Sequence, residues 1–306
     1  MSRSILLERD QDFKIFLRIW DEVENPKAIV QIFHGMAEHS ERYDDFAKYL
    51  NSKGFIVYAD DHRGHGLSVK EGSVQGYIGE DGFNRIVEDE KEISNLIRKS
   101  YKELPLYIFA HSFGSFIGQE YITKYSKEID GIILSGSSKQ DGIDLKMGKV
   151  LASIQKLLFN ETAKAKLIDK LSFGAYNSKV QNRKTNCDWL SRDEKEVNKY
   201  LEDEKCGFIS PINFYNHMFN GLSKLYKLEK LNKIDKNLSI LVISGDEDPV
   251  GKYGKGVRRL HQQYVDLGLK NSAIKLYEGG RHELLNETNK HEVYDFIYNW
   301  LKEDLN

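Results

Sequence analysis

The chain of 306 residues carries 45 Lys and Arg against 47 Asp and Glu, which gives a formal net charge of −2 at pH 7. This near-neutral balance excludes a global electrostatic attraction to nucleic acids or acidic membranes. Hydrophobic residues make up 40% of the sequence, including 17 Tyr and 15 Phe, and they can form the core of one large α/β domain or of two smaller units.

The absence of recognisable targeting signals and the small number of cysteines favour a cytoplasmic protein. The start of the sequence lacks the apolar h-region of a secretory signal, and no apolar run approaches the roughly 18 residues that span a bilayer. The two cysteines, Cys187 and Cys206, are too few for a disulfide framework. We therefore expect a cytoplasmic protein.

Strand-like and helix-like segments alternate through the first 135 residues. Strands at residues 5–8 and 13–20 predict a hairpin joined at residues 10–12. In chain order, the next predicted segments are strand 28–33, helix 42–52, strand 55–59, helix 84–102, strand 106–110 and, after another helix, strand 131–134. Uninterrupted apolar strands that alternate with helices favour a mostly parallel sheet covered by helices on both faces.

The alternation stops after Ser135. Residues 139–235 contain no clear strand pattern, only helical stretches such as 150–159 and 194–203. The alternation resumes with strand 239–244, a helix near 256–267, strand 273–277 and a final helix at 291–302. We predict one sheet domain formed by residues 1–138 and 236–306, with residues 139–235, called the insertion below, packed on it as a helical lid.

The most informative stretch surrounds Ser112. A short apolar strand reaches this serine and continues into a helix without a spacer, which is the setting of a nucleophile elbow. Such a turn demands small residues two positions before and after the serine; Gly114 satisfies this, and Ala110 adds one methyl to the usual G-x-S-x-G. Because Gly makes up about 7% of residues, the G-x-S-x-G pattern arises by chance in roughly one chain in ten of this length. The motif is therefore informative only together with other catalytic residues elsewhere in the sequence.

A serine nucleophile needs a base and an acid that orients the base. The loop after strand 239–244 offers Asp246, Glu247 and Asp248, and the loop after strand 273–277 offers His282. This order of Ser, acid and His is the order in α/β-hydrolases. Both loops follow the carboxyl ends of predicted parallel strands, where ligand crevices form. Spacing alone leaves open which acid serves.

The expected oxyanion hole consists of two backbone N–H groups. One comes from the residue after the nucleophile, Phe113, and the other from the loop after an early strand. In that loop Met36 is the predicted donor, with Gly35 allowing the backbone to approach the substrate.

Five segments together resemble monoacylglycerol lipases and bacterial lysophospholipase-like hydrolases, within the group of serine aminopeptidase-type hydrolases. Residues 34–43 resemble H-G-x-x-E-H-S-x-R-Y, residues 61–68 resemble D-x-R-G-H-G-x-S, and residues 110–114 match G-H-S-M-G apart from the first glycine and the methionine, which is Phe113 here. Residues 245–248 fit the G-x-x-D acid, and residues 280–282 fit the histidine loop. The resemblance covers the hydrolase core but not the insertion, which that family uses as a lid.

The resemblance implies an α/β-hydrolase fold and selects Asp248 as the acid. It also implies that Glu38 and Arg42 bind substrate at the glycerol end of the pocket. A third polar contact in that family is a histidine three residues after the catalytic one, where this chain has Leu285. This departure puts strict monoglyceride preference in question and leaves ester hydrolysis untouched.

Alternative roles remain for several of these residues. Asp248 can instead be a turn former before Pro249, and Glu38 and Arg42 can instead form a structural salt bridge. His62 and His65, beside Asp61, have the composition of a metal site, but a loop braced by Arg63 and glycines is the favoured interpretation. The segment after His282 lacks the second histidine of H-E-x-x-H, so a zinc protease is not supported. The serine mechanism requires no metal or organic cofactor, and none is predicted.

The sequence thus predicts a serine hydrolase that cleaves carboxylic esters of lipid-like substrates, of the monoacylglycerol or lysophospholipid type, through an acyl-enzyme. Ser112, Asp248 and His282 form the predicted triad. The expected partner is a small-molecule ester with an acyl chain; nucleic acid is not expected, and the lid could contact a membrane surface transiently. The rivals are an aminopeptidase of the same fold and a non-catalytic binding or receptor protein that retains the pocket.

Overall fold

Eight strands form one sheet in the part of the chain that the computed structural model describes, residues 2–10 and 13–305. The strands are β1 (Arg3–Asp10), β2 (Phe13–Trp20), β3 (Ala28–Phe33), β4 (Phe55–Asp60), β5 (Leu106–His111), β6 (Gly131–Ser135), β7 (Ser239–Gly245) and β8 (Ser272–Tyr277). Their order across the sheet is β1-β2-β4-β3-β5-β6-β7-β8.

The sheet is antiparallel at one edge and parallel elsewhere. β1 pairs antiparallel with β2, and β2 with β4, whereas every pair from β4 to β8 is parallel. The predicted hairpin is therefore confirmed, although residues 11 and 12 of its connection lie outside the described residues. The predicted α/β-hydrolase sheet, mostly parallel, is confirmed as well.

Helices follow most of the strands. They are α1 (Asp44–Ser52), α2 (Gly82–Ser100), α3 (Phe113–Tyr125), α4 (Ile143–Leu158), α5 (Lys166–Phe173), α6 (Glu194–Glu202), α7 (Ile212–Leu225), α8 (Leu228–Leu231), α9 (Lys255–Asp266) and α10 (Lys290–Asp304). In the described part of the chain, no helix combines the length and the apolar character needed to cross a membrane.

Alternate residues of the central strands enter two separate cores. On β5, Leu106, Ile108 and Ala110 join the core formed with α2, α3 and α9, whereas Tyr107 and Phe109 join the core formed with α1 and α10. All five side chains are at most 1% exposed. Burial of both faces explains why the strand reads as an uninterrupted apolar run rather than as an alternating one.

The insertion lies between β6 and β7 and contains α4 to α8. As expected, it holds no strand among the described residues, only an isolated bridge between Lys164 and Pro211. Helix α7 approaches α2 so closely that a Cβ at Gly221 would lie 2.3 Å from the Phe83 ring. The insertion is therefore packed against the sheet region; its division from the core at residues 139 and 235 stays a prediction.

The methyl group of Ala110 is accommodated by a glycine one helical turn beyond the elbow. A Cβ added to Gly118 would lie 3.1 Å from the Ala110 Cβ and 3.0 Å from Ile132 Cδ1. The two positions therefore share one small space between β5 and α3. The alanine in the elbow motif and the glycine in α3 form a matched pair.

We expect Ala110→Gly and Gly118→Ala to be coupled. Ala110→Gly opens a space that the Gly118→Ala methyl can use, so the loss of unfolding free energy in the double variant should be smaller than the sum of the two losses by about 0.5 kcal/mol or more. Urea unfolding of the wild type, both single variants and the double variant measures this coupling. Additive effects would show that the two positions do not share the space.

Candidate active site

Ser112 occupies the sharp turn between β5 and α3. Its backbone has φ +52° and ψ −118°, an uncommon and strained conformation for a residue other than glycine. The Ser112 N–H donates to the Ser135 carbonyl at 2.9 Å, which helps to hold the turn. A Cβ at Gly114 would lie 2.2 Å from the Phe33 carbonyl oxygen, so only glycine fits there. The turn lifts the serine clear of the sheet edge, as the sequence predicts for an elbow.

The three residues predicted as a triad lie together. His282 Nε2 is 2.8 Å from Ser112 Oγ, and His282 Nδ1 is 3.0 Å from Asp248 Oδ1. The second contact has ion-pair distance but poor hydrogen-bond alignment, since no well-aligned partner reaches Nδ1. Such contacts are often loose without substrate and tighten in the reacting complex. With the Nδ1 proton facing Asp248, Nε2 is the acceptor for the serine hydroxyl.

The structure brings Asp248, rather than Asp246, to His282. Asp248 is fully buried and accepts hydrogen bonds from Ser244 Oγ and from the Val250 N–H, both at 2.8 Å. Asp246 instead accepts the Gly279 N–H at 2.8 Å and so ties the acid loop to the histidine loop. Spacing in the sequence could not distinguish these two acids, but in the structure only Asp248 contacts the His282 imidazole, whereas Asp246 binds a backbone N–H.

Two glycines allow the acid loop and the histidine loop to touch. A Cβ at Gly245 would lie 1.9 Å from the Gly280 carbonyl oxygen, and the Glu247 N–H donates to that same oxygen at 3.0 Å. On another side, a Cβ at Gly136, which has φ +57°, would lie 2.9 Å from the His282 ring. The imidazole position therefore depends on three backbone segments that carry no side chain at the contact.

The electrostatics around His282 favour its role as a proton acceptor. Burial lowers the pKa of His282, but the Asp248 carboxylate raises it, with smaller contributions from Glu283 and Glu38, so that the net shift is upward from the ordinary 6.5. Burial raises the pKa of Asp248, but His282 and the Ser244 hydroxyl lower it, and the net shift is downward. Burial and the nearby His282 lower the pKa of His111 to about 4.

The loop after β3 lies beside the elbow because β3 and β5 are parallel neighbours, with Phe33 paired to Ala110. His34 Nε2 accepts the His62 N–H at 2.8 Å, so the proton is on Nδ1, which lies 2.7 Å from the Gly35 carbonyl oxygen. Because a trans peptide is planar, this bond also fixes the direction of the Met36 N–H on the opposite side of the peptide. Met36 lines the cavity next to Ser112.

Glu38 and Arg42 form a buried ion-pair cluster with a residue that the motifs did not indicate, Glu283. Arg42 Nη1 lies 2.6 Å from Glu38 Oε2, and the guanidinium binds both oxygens of Glu283 at 2.8 and 2.7 Å. Glu38 Oε1 also accepts the Gly35 N–H at 2.5 Å and the Tyr43 hydroxyl at 2.9 Å. The only sequence signal for Glu283 was its position directly after His282.

A cavity of about 780 Å³ opens over Ser112 and His282. Its floor comes from the loop after β3 and from the elbow, and most of its walls come from the insertion. Glu38 and Glu283 line this cavity, whereas Arg42 lies behind them on a small side cavity together with Leu285. The apolar walls consist of Phe173, Trp189, Leu190, Leu201 and Phe208.

Two groups in the described part of the chain have the spacing of metal ligands. His62 Nδ1 lies 3.0 Å from Asp60 and 3.1 Å from Glu90, all fully buried behind the loop after β3. His39 Nε2 lies 2.7 Å from Asp203, near Cys206. In both groups the histidine lies within ion-pair distance of the carboxylates of the group, Asp60 and Glu90 for His62 and Asp203 for His39.

Comparison with known proteins gives one consistent result. The family described as "Serine aminopeptidase, S33" matches residues 24–289. The chain is 28% identical to the monoglyceride lipase homolog of Monkeypox virus over 98% of each chain, and 27% identical to the monoacylglycerol lipase of Mycolicibacterium smegmatis over 94% of this chain and 92% of that protein. A carboxyl esterase from Bacillus coagulans, solved in complex with glycerol, superposes with TM-score 0.90 at 27% identity, covering 100% and 99% of the two chains.

We expect Asp248→Asn to lower kcat/KM for an ester by about 10⁴-fold, because the imidazole loses its orienting carboxylate. Asp246→Asn should cost far less. Because the predicted base is the neutral His282 imidazole, kcat/KM of the wild type should rise with pH through a pKa above 6.5, and loss of the Asp248 charge should move that limb to lower pH. A larger loss for Asp246→Asn in the measured pH–rate profiles would reverse the assignment.

Proposed function

The chain belongs to the serine aminopeptidase (S33) family of hydrolases, and from that premise we propose that it cleaves carboxylic esters of lipid-like substrates through an acyl-enzyme on Ser112. The observation that carries the proposal is the continuous contact from Ser112 through His282 to Asp248 at the base of a large cavity. The protein is an ester hydrolase of the α/β-hydrolase fold.

The proposed reaction starts with attack of Ser112 Oγ on the ester carbonyl carbon while His282 Nε2 takes the hydroxyl proton. The imidazolium then gives this proton to the departing alcohol, and the acyl group stays on the serine. Water enters, transfers a proton to His282 and attacks the acyl carbon; the imidazolium then returns this proton to Ser112 Oγ as the bond to the serine breaks and the acid is released. Asp248 stabilises the imidazolium at both stages.

The negative charge that develops on the carbonyl oxygen is assigned to two backbone N–H groups. Phe113 is the first residue of α3, where helix N–H groups have no intrahelical partner and the helix dipole favours negative charge. Met36 supplies the second group from a peptide that His34 holds through the Gly35 carbonyl. Fixed donors of this kind are often the largest single contribution to catalysis.

Several features favour esters with an apolar acid part. The relatives include monoglyceride lipases and a carboxyl esterase, and the insertion contributes aromatic and leucine side chains to the cavity wall. We assign the acyl chain to this wall and the insertion, residues 139–235, to the role of a lid. The rival within the family is amide hydrolysis, which uses the same three residues.

The outer surface of the insertion suits contact with a lipid surface. Helix α4, the residue after it and helix α5 expose a group of large apolar side chains: Ile143, Met147, Val150, Ile154, Leu157, Leu158, Phe159, Leu167 and Leu171. Lysines are interspersed on the same helices. Exposed apolar surface of this extent, bordered by cations, is typical of a protein that docks on a lipid–water interface.

Ser112→Ala should abolish turnover of p-nitrophenyl esters, because it removes the attacking oxygen, Oγ. It should leave the unfolding midpoint unchanged, because this one side-chain oxygen at the cavity is all that is lost. In a substrate screen of the wild type, monoacylglycerols and lysophospholipids should react faster than aminoacyl amides. Retained ester turnover in Ser112→Ala would place the nucleophile elsewhere. Faster reaction with the amides would favour the aminopeptidase.

Replacing Leu157 and Leu158, which are 86% and 69% exposed, by serine should weaken binding to lipid vesicles while turnover of a water-soluble short-chain ester stays intact. Leu228→Ser, on α8, is the matched control, since Leu228 is 65% exposed but lies outside the apolar surface of α4 and α5. Vesicle co-sedimentation measures the effect. Equal binding by all three proteins would rule out docking through α4.

A further inference from the structure

The polar end of the cavity contains more negative than positive charge. Glu38 and Glu283 both bind Arg42, so two carboxylates face one guanidinium and leave a net charge of −1. Burial raises the pKa of Glu283, but Arg42 lowers it to about 2, so this carboxylate is ionised at neutral pH. Glu38 accepts hydrogen bonds on both oxygens, which is the bonding pattern of an ionised carboxylate.

Arg42 is not available to an anionic ligand. Its guanidinium is held bidentate by Glu283, bound again by Glu38, and covered by the Tyr200 ring at 4.8 Å. The two carboxylates lie between it and the main cavity, where they line the wall and Arg42 does not. A substrate group that enters this end therefore meets carboxylate oxygens before it meets the cation.

The part of the substrate that reaches this end is the alcohol. His282 must give its proton to the leaving oxygen, so the alcohol lies on the imidazole side of the scissile bond. Glu283 directly follows His282, and the charges of Glu283 and Glu38 both raise the pKa of that imidazole. The leaving alcohol therefore departs next to the negative cluster.

We propose that the Glu38–Arg42–Glu283 cluster selects substrates by the charge of their alcohol, accepting neutral and cationic alcohols and rejecting alcohols that carry a phosphate monoester. The inference rests on the proposed ester hydrolysis and narrows its substrate class. This chain has Leu285 where the family that it resembles has a polar histidine. We assign the polar contact with the alcohol at this end of the cavity to Glu283 instead. Glu283 acts here as a specificity-determining residue.

The two other cations on the cavity wall do not offset this charge. Lys170 and Arg183 belong to the insertion, are exposed to solvent, and are not among the groups that contribute most to the pKa shift of His282. Solvent screens exposed charges much more strongly than buried ones. The buried carboxylates beside the triad therefore dominate the field at the leaving group.

The first test compares three esters of one short fatty acid, each monomeric in solution: the monoacylglycerol, its 3-phosphate and the acylcholine. The phosphate ester should have a kcat/KM lower than that of the monoacylglycerol by on the order of tenfold or more. The choline ester, whose alcohol is comparably bulky but cationic, should be hydrolysed. Rejection of both bulky esters would show that size, not charge, selects, and equal turnover of the phosphate ester would overturn the inference.

Glu283→Gln tests the residue itself. Removing one negative charge should raise the phosphate-to-neutral ratio of kcat/KM on the order of tenfold. Asp169→Asn is the control, because Asp169 also lines the cavity but lies outside the Glu38–Arg42–Glu283 cluster and is not a main contributor to the pKa shift of His282, and it should leave the ratio unchanged. An unchanged ratio in Glu283→Gln contradicts the assignment. If the wild type hydrolyses none of the three esters, the proposed ester hydrolysis itself is contradicted. If it hydrolyses all three at similar rates, only the proposed selection by charge is contradicted.

Discussion

The strained backbone at Ser112 is the constraint on which the rest of the site depends. A residue with φ +52° between β5 and α3 persists only because its surroundings leave no alternative. The parallel pairing of β5 with β3 and β6 supplies those surroundings, and Gly114 lets α3 begin against the Phe33 carbonyl. The same turn places the serine hydroxyl above the sheet edge and the Phe113 N–H at the N-terminus of α3, so it carries both the proposed nucleophile and a proposed oxyanion donor.

Buried polar contacts connect the loop after β3, beside this turn, with the loop that carries His282. His34 links the Gly35 carbonyl to the His62 backbone, and Glu38 holds the Gly35 N–H, so that both ends of this glycine are fixed. Glu38 is in turn joined through Arg42 to Glu283, next to the imidazole. The loop that carries Met36 and the loop that carries His282 are thus connected through buried charge, so the position of the proposed oxyanion donor and that of the proposed base depend on each other.

The sequence predicted the fold well, because strands that are buried on both faces of the sheet have uninterrupted apolar sequences and because glycines mark the turns. Strands such as 28–33 and the long helix α2 needed only local patterns. The acid was ambiguous from spacing, since Asp246 and Asp248 occupy the same loop; only the fold shows that Asp246 bonds Gly279 and Asp248 faces His282. Glu283 was missed because its partner, Arg42, lies 241 positions earlier in the chain. The fit of Ala110 against Gly118 likewise depends on the packing of a helix on a strand.

The most direct test of the account is to identify the residue that a fluorophosphonate modifies. After reaction of the native protein with the probe, digestion and mass spectrometry of the peptides should find a single adduct on Ser112, in a one-to-one ratio with the protein and in proportion to the loss of ester turnover. An adduct on another residue that accounts for the lost turnover, or a fully inhibited protein in which Ser112 is unmodified, would contradict the account.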